Sequence, residues 1–451
     1  MVNTKIVTIV VVAVVVIAAF GIGYTMLGNN NKEHVNINAQ LEVFGNANND
    51  DRINGDDIST IEKIISGELL LEDHPLADAN HDGKVDQSDI KQVEAIIGAT
   101  SKNQITIYHI NHLDGNNVVV DTKYPITSAV STGAANTILI FKYLGIVNEI
   151  KGFSWATMPD SNMFPEYSGI ATESKRLETS STRMNVDKVS NLVTSDKVTA
   201  VITADNRSYL QSEEKTLEEM GVDVVRVQPA SVHSDEYMST ILLIAFLFDT
   251  DGKGYMDKCL ELTAWYENFL TDLNGKLDKV GSKVSAVTAS SNTAISTASS
   301  DYTEVLTAAG AYFPLTDIDS ASSNATYNGK EDTWLNKYDI DYVISIRTST
   351  TSFSWYAGEA ETKGKTTLTG YIDNFKTLEC YENSNVYVLC GEMPVMIRIA
   401  YAAQILYPEI FGEDFGYDYH VDFVKTFFGW DEDAIKDKPF FVSMKSLGIS
   451  S

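Results

Sequence analysis

Two twelve-residue stretches of the chain carry an oxygen-bearing side chain at nearly every second position. Residues 46–57 read NANNDDRINGDD and residues 78–89 read DANHDGKVDQSD, so the pattern repeats after 32 residues. Calcium takes six to eight hard oxygen ligands around a flexible loop, and this spacing supplies them. The sequence therefore predicts a pair of calcium loops.

The two loops differ in the ligands that they offer. The second loop has a glycine, Gly83, at its sharp turn, and its predicted ligands are Asp78, Asn80, Asp82, the Lys84 carbonyl, Asp86 and Asp89. The first loop has Asp51 at the turn, and its predicted ligands are Asn46, Asn48, Asp50, the Arg52 carbonyl, Asn54 and Asp57. Because the first loop has fewer carboxylates and lacks the glycine, we expect it to bind calcium weakly or not at all.

An apolar stripe at helical spacing follows each loop. The stripes consist of Ile58, Ile61, Ile64 and Ile65 in the first copy and Ile90, Val93, Ile96 and Ile97 in the second. Two such helices can bury their apolar faces against each other, which neither could do alone.

Paired loops that each precede one helix resemble a dockerin domain, over about residues 41–98. This resemblance implies calcium-dependent folding and docking onto a cohesin module of another protein. The positions that would contact the partner are Gly55, Asp56, Gln87 and Ser88, which are not the Ser-Thr type of the best-known dockerins.

The first residues predict export and attachment to a membrane. Residues 6–27 carry no charge and would span about 33 Å as a helix, enough for the hydrocarbon core of a bilayer. Lys5 precedes the span, which favours a cytoplasmic amino terminus and an extracytoplasmic remainder. A cleaved signal peptide is the alternative. We expect an anchor at residues 1–28 and a polar linker at 29–40.

Composition limits the classes of partner. The chain has 451 residues, a net charge of −28 and a pI near 4.5, so its surface repels nucleic-acid backbones. Its three cysteines do not form a disulfide framework. Cys380 and Cys390 could pair in an oxidising compartment, or both could be small buried side chains.

After a second linker, at residues 99–104, the pattern becomes that of an α/β protein. QITIYHI and NNVVVDTK predict a β-hairpin around Asp114 and Gly115, and strands and helices then alternate in two regions, 105–250 and 281–451. A long amphipathic helix at 251–280 separates them. We expect two Rossmann-like lobes, each with a parallel sheet, joined by that helix.

This plan resembles the class III substrate-binding proteins of ABC importers for iron–siderophores, haem and cobalamin, a family with the periplasmic-binding-protein fold. The likeness covers roughly residues 105–430 and rests on SAVSTGAANTILIFKYLG, RMNVDKVSNL, LEEMGVDVVRV, GKEDTWLNKYDIDYVI and IRIAYAAQILYPEIF, in that order. It implies capture of a ligand between the lobes and delivery to an ABC permease, without catalysis.

The resemblance also implies roles for single residues. Asp187 and Glu331 match the acidic residues that dock on the permease, although both also suit the start of a helix electrostatically. Loops at strand ends would line the cleft, with arginines for anionic oxygens and aromatic faces for a chelate. The predicted ligand-binding residues are Thr132, Trp155, Arg183, Arg207, Tyr327, Arg347, Trp355, Tyr356 and Arg398.

The leading hypothesis is thus a membrane-anchored extracytoplasmic binding protein for a metal chelate, with an iron–siderophore as the first candidate. The alternative is a dockerin-bearing enzyme or interaction protein assembled at the cell surface through cohesin. The sequence shows no phosphate-binding glycine loop, nucleophile elbow or distinct glycosidase carboxylate pair.

Overall fold

The computed structural model describes residues 34–132, 136–154, 164–170, 176–180, 183–250, 252–291, 294–315, 326–328, 334–347 and 355–449. The predicted anchor and the first part of the predicted linker lie outside these residues. No helix among the described residues combines the length and the hydropathy that a membrane span requires.

Helices α1 (Gly55–Ser66) and α2 (Gln87–Ile97) follow the two predicted calcium loops. Each begins with a reciprocal cap, in which the side chain at the helix start, Asn54 or Asp86, bonds the helix backbone and a buried aspartate bonds back. The apolar stripes pack as predicted at most positions. Ile65 and Ile97 are exceptions: they are 46% and 50% exposed, because the last position of each stripe faces outward.

The two-helix module is continuous with the lobe that follows. Phe44 N–H donates to the Tyr108 carbonyl at 2.9 Å and Ile110 N–H donates to the Glu42 carbonyl at 3.0 Å, so residues 42–44 extend a strand of the lobe. The His81 ring lies 4.7 Å from the Phe44 ring and 5.4 Å from the Tyr108 ring. These contacts join the second loop to the lobe.

Residues 34–40 lie against the lobe as an extended strap. Their backbone N–H groups donate to side chains of two later helices, including Val35 to Thr271 Oγ1 at 2.9 Å and Gln40 to Ser239 Oγ at 2.9 Å. Leu41, at the end of the strap, is fully buried. The second half of the predicted linker is therefore held in place, and residues His34–Ser451 form one compact unit.

The N-terminal lobe begins with the predicted hairpin, β1 (Ile105–Leu113) and β2 (Asn116–Tyr124), whose turn has positive φ at Asp114 and Gly115. The lobe's main sheet is parallel, in the order β4-β3-β7-β8. The elements of this lobe are β3 (Ala129–Ser131), α3 (Asn136–Leu144), β4 (Ile150–Phe153), β5 (Glu178–Ser180), β6 (Arg183–Met184), α4 (Val186–Asp196), β7 (Ala200–Ala204), α5 (Glu214–Glu219), β8 (Asp223–Val227) and α6 (Ser234–Phe248).

Helix α7 (Tyr255–Leu277) connects the lobes, as predicted. It packs on α3 and α6 of the first lobe and on two helices of the second. Trp265 of α7 lies 5.2 Å from the Phe423 ring of the second lobe, and its indole N–H donates to Asp422. Tyr143 of α3 stacks on Phe428 at 5.7 Å. An aromatic cluster thus ties the lobes together beside α7.

The C-terminal lobe contains a four-stranded sheet in the order β15-β14-β13-β9, in which β15 is antiparallel and the other strands are parallel. A small antiparallel sheet, β10-β11-β12, accompanies it. The elements are β9 (Ala286–Val287), β10 (Ala289–Ser291), β11 (Ala294–Ser296), α8 (Asp301–Ala308), β12 (Thr326–Asn328), β13 (Tyr342–Arg347), α9 (Ala360–Tyr371), α10 (Glu379–Glu382), β14 (Val386–Cys390), α11 (Val395–Leu406), α12 (Pro408–Phe411), α13 (Phe415–Phe423) and β15 (Phe441–Ser443). Cys380 and Cys390 are buried free thiols.

Candidate ligand-binding cleft and cation loops

Residues of the two lobes meet where parallel strands of the N-terminal sheet end. His233 follows β8 in the first lobe, and its Nε2 lies 3.9 Å from Glu304 Oε1 on α8 of the second lobe. Tyr209 follows β7; burial raises the pKa of its phenol, and the charges of Tyr302 and Asp301 of the second lobe raise it further. Open α/β sheets bind ligands at the carboxyl ends of their strands. This junction is therefore the candidate cleft.

Thr132 and Arg347 occupy equivalent positions, at the carboxyl ends of β3 and β13. Thr132 is 1% exposed and its N–H donates to the Ile202 carbonyl at 3.0 Å. Arg347 is half-buried, and its Nε has no hydrogen-bond partner in the described part of the chain. A guanidinium at a strand end with an unused N–H is suited to an anionic oxygen.

Arg398 lies in the first turn of α11 and not on an exposed cleft loop. Its side chain is 1% exposed, and neither Nε nor Nη2 has a hydrogen-bond partner among the described residues. Burial raises the pKa of the Asp301 carboxyl, and the charge of Arg398 opposes that effect.

The other two predicted arginines already have carboxylate partners. Arg183 Nε donates to Glu213 at 2.9 Å, and Arg207 Nε donates to Asp114 at 3.0 Å. Both arginine side chains are 58% exposed. The Arg207 pair is a surface ion pair, whereas the Glu213 side chain that pairs with Arg183 is only 8% exposed. Direct contact of either arginine with a ligand stays a prediction.

Trp355 and Tyr356 were predicted to present aromatic faces to the cleft, but both are buried. Trp355 and Tyr356 form part of a π-helical turn and are 2% and 0% exposed, so they pack in the core. The Tyr356 hydroxyl donates to His420 Nε2 at 2.9 Å if the imidazole proton is on Nδ1. Tyr327 lies in β12, where the structure describes the backbone alone. Trp155 lies outside the described residues.

Asp187, the predicted docking residue of the first lobe, is exposed in the first turn of α4. The side chain of Asn185 caps this helix by accepting from Lys188 N–H at 3.0 Å. The cap leaves the Asp187 carboxylate on the surface, where a partner could reach it. Glu331, its predicted counterpart, lies outside the described residues.

In the second predicted calcium loop, side-chain oxygens turn inward to the loop's own backbone. Asp78 accepts from the N–H groups of Asp82 and Gly83 at 3.0 and 2.8 Å, and fully buried Asp89 accepts from Asn80 and Asp86. Carboxylate oxygens have further lone pairs for a cation. The other predicted ligands of this loop are the Asn80 side chain, the Asp82 and Asp86 carboxylates and the Lys84 carbonyl.

The first loop is folded in the same way. Asp57 is fully buried and accepts from Asn48 and Asn54; burial, with the Asp50 charge, raises the pKa of its carboxyl to about 6. Asn46 Oδ1 is buried without a hydrogen-bond partner among the described residues. The remaining predicted ligand, the carbonyl of Arg52, lies in the same loop.

In the part of the chain that the structure describes, no three His, Cys, Asp or Glu side chains converge in a way that could hold a metal ion. The loops rely on asparagine and carbonyl oxygens as well as carboxylates. Their binding of calcium therefore stays a prediction.

Sequence reasoning missed the groups that form the second lobe's side of the junction: Asp301, Tyr302 and Glu304. The signal was present as a helix start, because Ser300 caps α8 directly after a strand and loop, with acidic residues in the first turn. What the sequence did not indicate was that this helix start lies beside His233 of the other lobe.

The similarity of this chain to known proteins is found at the level of the fold. No protein-family description matches the chain, and no curated protein matches it. Among solved structures, the TroA-like periplasmic binding protein FepB of Veillonella parvula superimposes with a TM-score of 0.53 at 15% identity, over 74% of this chain and 99% of its own. CeuE of Helicobacter pylori, in a nickel–histidine complex, gives 0.52 at 15% identity, over 74% of this chain and 98% of its own.

A third solved structure, an ABC transporter solute-binding protein of Sulfurospirillum deleyianum, gives a TM-score of 0.50 at 13% identity, over 71% of this chain and 96% of its own. At such identities the likeness concerns the fold. The chain has the α/β fold of periplasmic solute-binding proteins.

Proposed function

We propose that this chain is an extracytoplasmic solute-binding protein that captures a metal chelate and delivers it to an ABC importer. An iron–siderophore is the first candidate ligand. The observation that carries the proposal is the contact of His233 of one lobe with Glu304 of the other, where the strands of the first sheet end. In this proposal a ligand binds at the junction and is released without chemistry.

Arg347 gives the proposed cleft its preference for anionic oxygen. It ends the parallel strand β13, and its Nε–H is not used by the described residues. A guanidinium presents planar forks of N–H groups that fit carboxylate or catecholate oxygens. The protein as a whole carries a charge of −28, so a local cation is needed to favour an anionic chelate.

The proposed movement on binding is small. Helix α7 packs on both lobes, and the contacts of Trp265 with Phe423 and of Tyr143 with Phe428 cross between them. A large hinge rotation would separate these aromatic pairs, in which Trp265 is half-buried and the other three rings are buried. We therefore expect a modest change in lobe separation when a ligand binds.

Delivery would use Asp187 and Glu331 as contacts with arginines of the permease. Asp187 is exposed at the start of α4, which supports its part of the proposal. Residues 1–28 would anchor the protein in the membrane, with the bulk outside the cytoplasm. The paired loops would bind calcium, and their module could present a second attachment to a cohesin-bearing partner.

A thermal-shift screen tests the proposed function. Protein comprising residues 34–451 would be heated with ferric siderophores, haem, cobalamin and free metal ions in turn. A ligand that binds the folded state raises the unfolding temperature in proportion to the logarithm of its excess over Kd. The proposal predicts stabilisation by at least one metal chelate. Absence of stabilisation by all of them would contradict it.

A further inference from the structure

Arg226 of β8 is a buried cation whose hydrogen bonds reach the loop beside its strand. Its side chain is 1% exposed. Its Nη1 donates to the carbonyls of Ala204 and Asn206 at 3.1 and 3.3 Å. Its Nη2 donates to the Tyr209 carbonyl at 2.9 Å. These carbonyls belong to the end of β7 and to the β7–α5 loop, residues 205–213, so one side chain binds the main chain there at three points.

Glu214, the first residue of α5, fixes the direction of this guanidinium. Its two carboxylate oxygens accept from Arg226 Nε at 3.1 Å and from Arg226 Nη2 at 2.7 Å. A bidentate pair of this kind holds the plane of the guanidinium and compensates its charge. The five N–H groups of Arg226 are then all used, two by the carboxylate and three by the loop carbonyls. A lysine has three donors on one atom and cannot reproduce this fork.

The β7–α5 loop contains a strained backbone conformation next to one of these bonds. Leu210 has a φ of 63°, in the left-handed region that residues other than glycine rarely occupy, and its side chain is fully buried. Such a conformation persists only where the surrounding contacts determine it, and it is found preferentially at functional sites. Arg226 binds the carbonyl of Tyr209, which belongs to the peptide that leads into Leu210. The arginine therefore acts at the point of strain.

The β7–α5 loop lies at the carboxyl end of the N-terminal sheet, as the candidate cleft does. β7 runs parallel to β8, and His233, in the segment that follows β8, contacts Glu304 of the other lobe. Asp114 in the hairpin turn binds the loop as well, because it accepts from the Arg207 main-chain N–H at 2.8 Å and from Arg207 Nε at 3.0 Å. The loop is thus held at Arg207 and at Tyr209, at the end of the sheet where open α/β folds bind ligands.

We propose that Arg226 is a positioning residue of the cleft, which fixes the β7–α5 loop so that Arg207 faces the ligand at the rim. The contact with Asp114 uses Arg207 Nε, and 58% of the Arg207 side chain is exposed, so its Nη groups can reach an anionic oxygen. A loop that is already ordered loses less freedom when the ligand binds, which raises affinity. The part of the inference that concerns the ligand rests on the proposed function. The part that concerns the loop is a property of the unliganded protein.

Amide hydrogen exchange of the full-length chain, without any ligand, tests whether Arg226 fixes the loop. Three amides report on it: the Arg207 N–H donates to Asp114, and the N–H groups of Ser208 and Tyr209 donate to Asn206. Arg226→Lys keeps the charge and loses the fork. Exchange of the three amides should therefore be about tenfold or more faster than in the wild type, because the loop opens locally.

Two further variants make the exchange result specific. Glu214→Gln keeps the side-chain shape and removes the charge that orients Arg226, so it should accelerate the same amides by a smaller factor. Its side chain is 27% exposed, so it gives a reading even if Arg226→Lys does not fold. Lys253→Met is the matched control. It breaks an ion pair with Glu149, which is 6% exposed and directly precedes β4 at the other end of the sheet, and it should leave the loop amides unchanged.

Titration with the chelate that the thermal-shift screen selects gives the functional reading. Arg226→Lys should weaken the affinity about threefold to tenfold, the cost of ordering a long side chain on binding, and Lys253→Met should not weaken it. Unchanged exchange of the loop amides, or equal acceleration throughout the lobe, would overturn the positioning role. Unchanged affinity with a loosened loop would overturn its link to the ligand. If the wild type binds no chelate, the proposed function fails, and the exchange result still decides whether Arg226 fixes the loop.

Discussion

His233 Nε2 of the first lobe lies 3.9 Å from Glu304 Oε1 of the second, across the proposed cleft. The two side chains are 65% and 31% exposed, so water and salt screen their attraction. The contact marks how near the lobes approach each other, but it is too exposed to hold them together. We expect the aromatic pairs beside α7 to hold the lobes together.

A double-mutant cycle with His233→Ala and Glu304→Ala measures this difference. We expect a coupling free energy of unfolding below about 1 kcal/mol, as for other exposed ion pairs. The corresponding cycle with Trp265→Ala and Phe423→Ala should give a larger value, because that aromatic pair is packed at 5.2 Å. A coupling of several kcal/mol between His233 and Glu304 would mean that the ion pair locks the cleft.

The strap formed by residues 34–40 and the buried Leu41 should contribute to the stability of the lobes. Leu41→Ala should lower the free energy of unfolding by about 2–5 kcal/mol, since its side chain is fully buried. Leu70→Ala is the matched control, because Leu70 is 60% exposed and its truncation removes little packing. Urea denaturation of both variants gives the comparison. Equal, small losses would show that the strap is not part of the folded core.

Acid should destabilise the protein through His420. Burial lowers the pKa of this imidazole to about 3, below its ordinary value of 6.5, so the folded state binds fewer protons than the unfolded state between these values. The contribution of neutral His420 to the free energy of unfolding is complete above about pH 6.5. As the pH falls below this value, the free energy of unfolding decreases by about 1.4 kcal/mol per pH unit.

His420→Gln removes the titratable imidazole. Between about pH 6 and pH 4.5, the free energy of unfolding of the variant should therefore fall less steeply than that of the wild type, by about 1.4 kcal/mol per pH unit. The difference between variant and wild type isolates His420, because carboxyls with raised pKa, such as those of Asp205 and Asp223, are present in both proteins. His34→Gln, at an exposed position, is the control. Parallel pH profiles of His420→Gln and the wild type would refute this role.

Calcium should stabilise the module and the lobes together. The His81 ring of the second loop packs between Phe44 and Tyr108, so ordering the loop also orders its contact with the lobe. Calcium should raise the unfolding temperature of the whole unit in a single transition, and a chelator should reverse the effect. Asp82→Ala should reduce the response, whereas Asp187→Ala makes the same charge change outside the loops. An unfolding temperature that ignores chelator would contradict calcium binding.

Local sequence signals predicted the elements that have local causes. The hairpin follows from Asp114 and Gly115, whose dipeptide favours the positive φ values found at both positions. The amphipathic pattern of the long helix and the repeated loops can likewise be recognised in the sequence alone. These signals were sufficient for two α/β lobes joined by one helix.

Contacts between residues that lie far apart in the sequence could not be predicted from local patterns. The strap is rich in Asn, which indicated a solvated linker, yet the acceptors of its N–H groups lie about 200 residues later in the chain. From the sequence alone, Arg183 and Arg398 were likewise both predicted to bind the ligand. Their difference comes from tertiary structure, which gives Arg183 a carboxylate on Glu213 and buries Arg398 with no described residue bonded to its Nε or Nη2.

Equilibrium titration with the chelate that the thermal-shift screen selects tests the central claim most directly. Protein comprising residues 34–451 should bind one chelate per chain, and Arg347→Ala should weaken the affinity for an anionic chelate about tenfold or more, through loss of a charge-assisted hydrogen bond. Lys215→Ala, which removes an exposed cation of α5 that lies 3.8 Å from Glu219, should leave the affinity within about twofold. Equal affinities of Arg347→Ala and the wild type, or no saturable binding at all, would contradict the account.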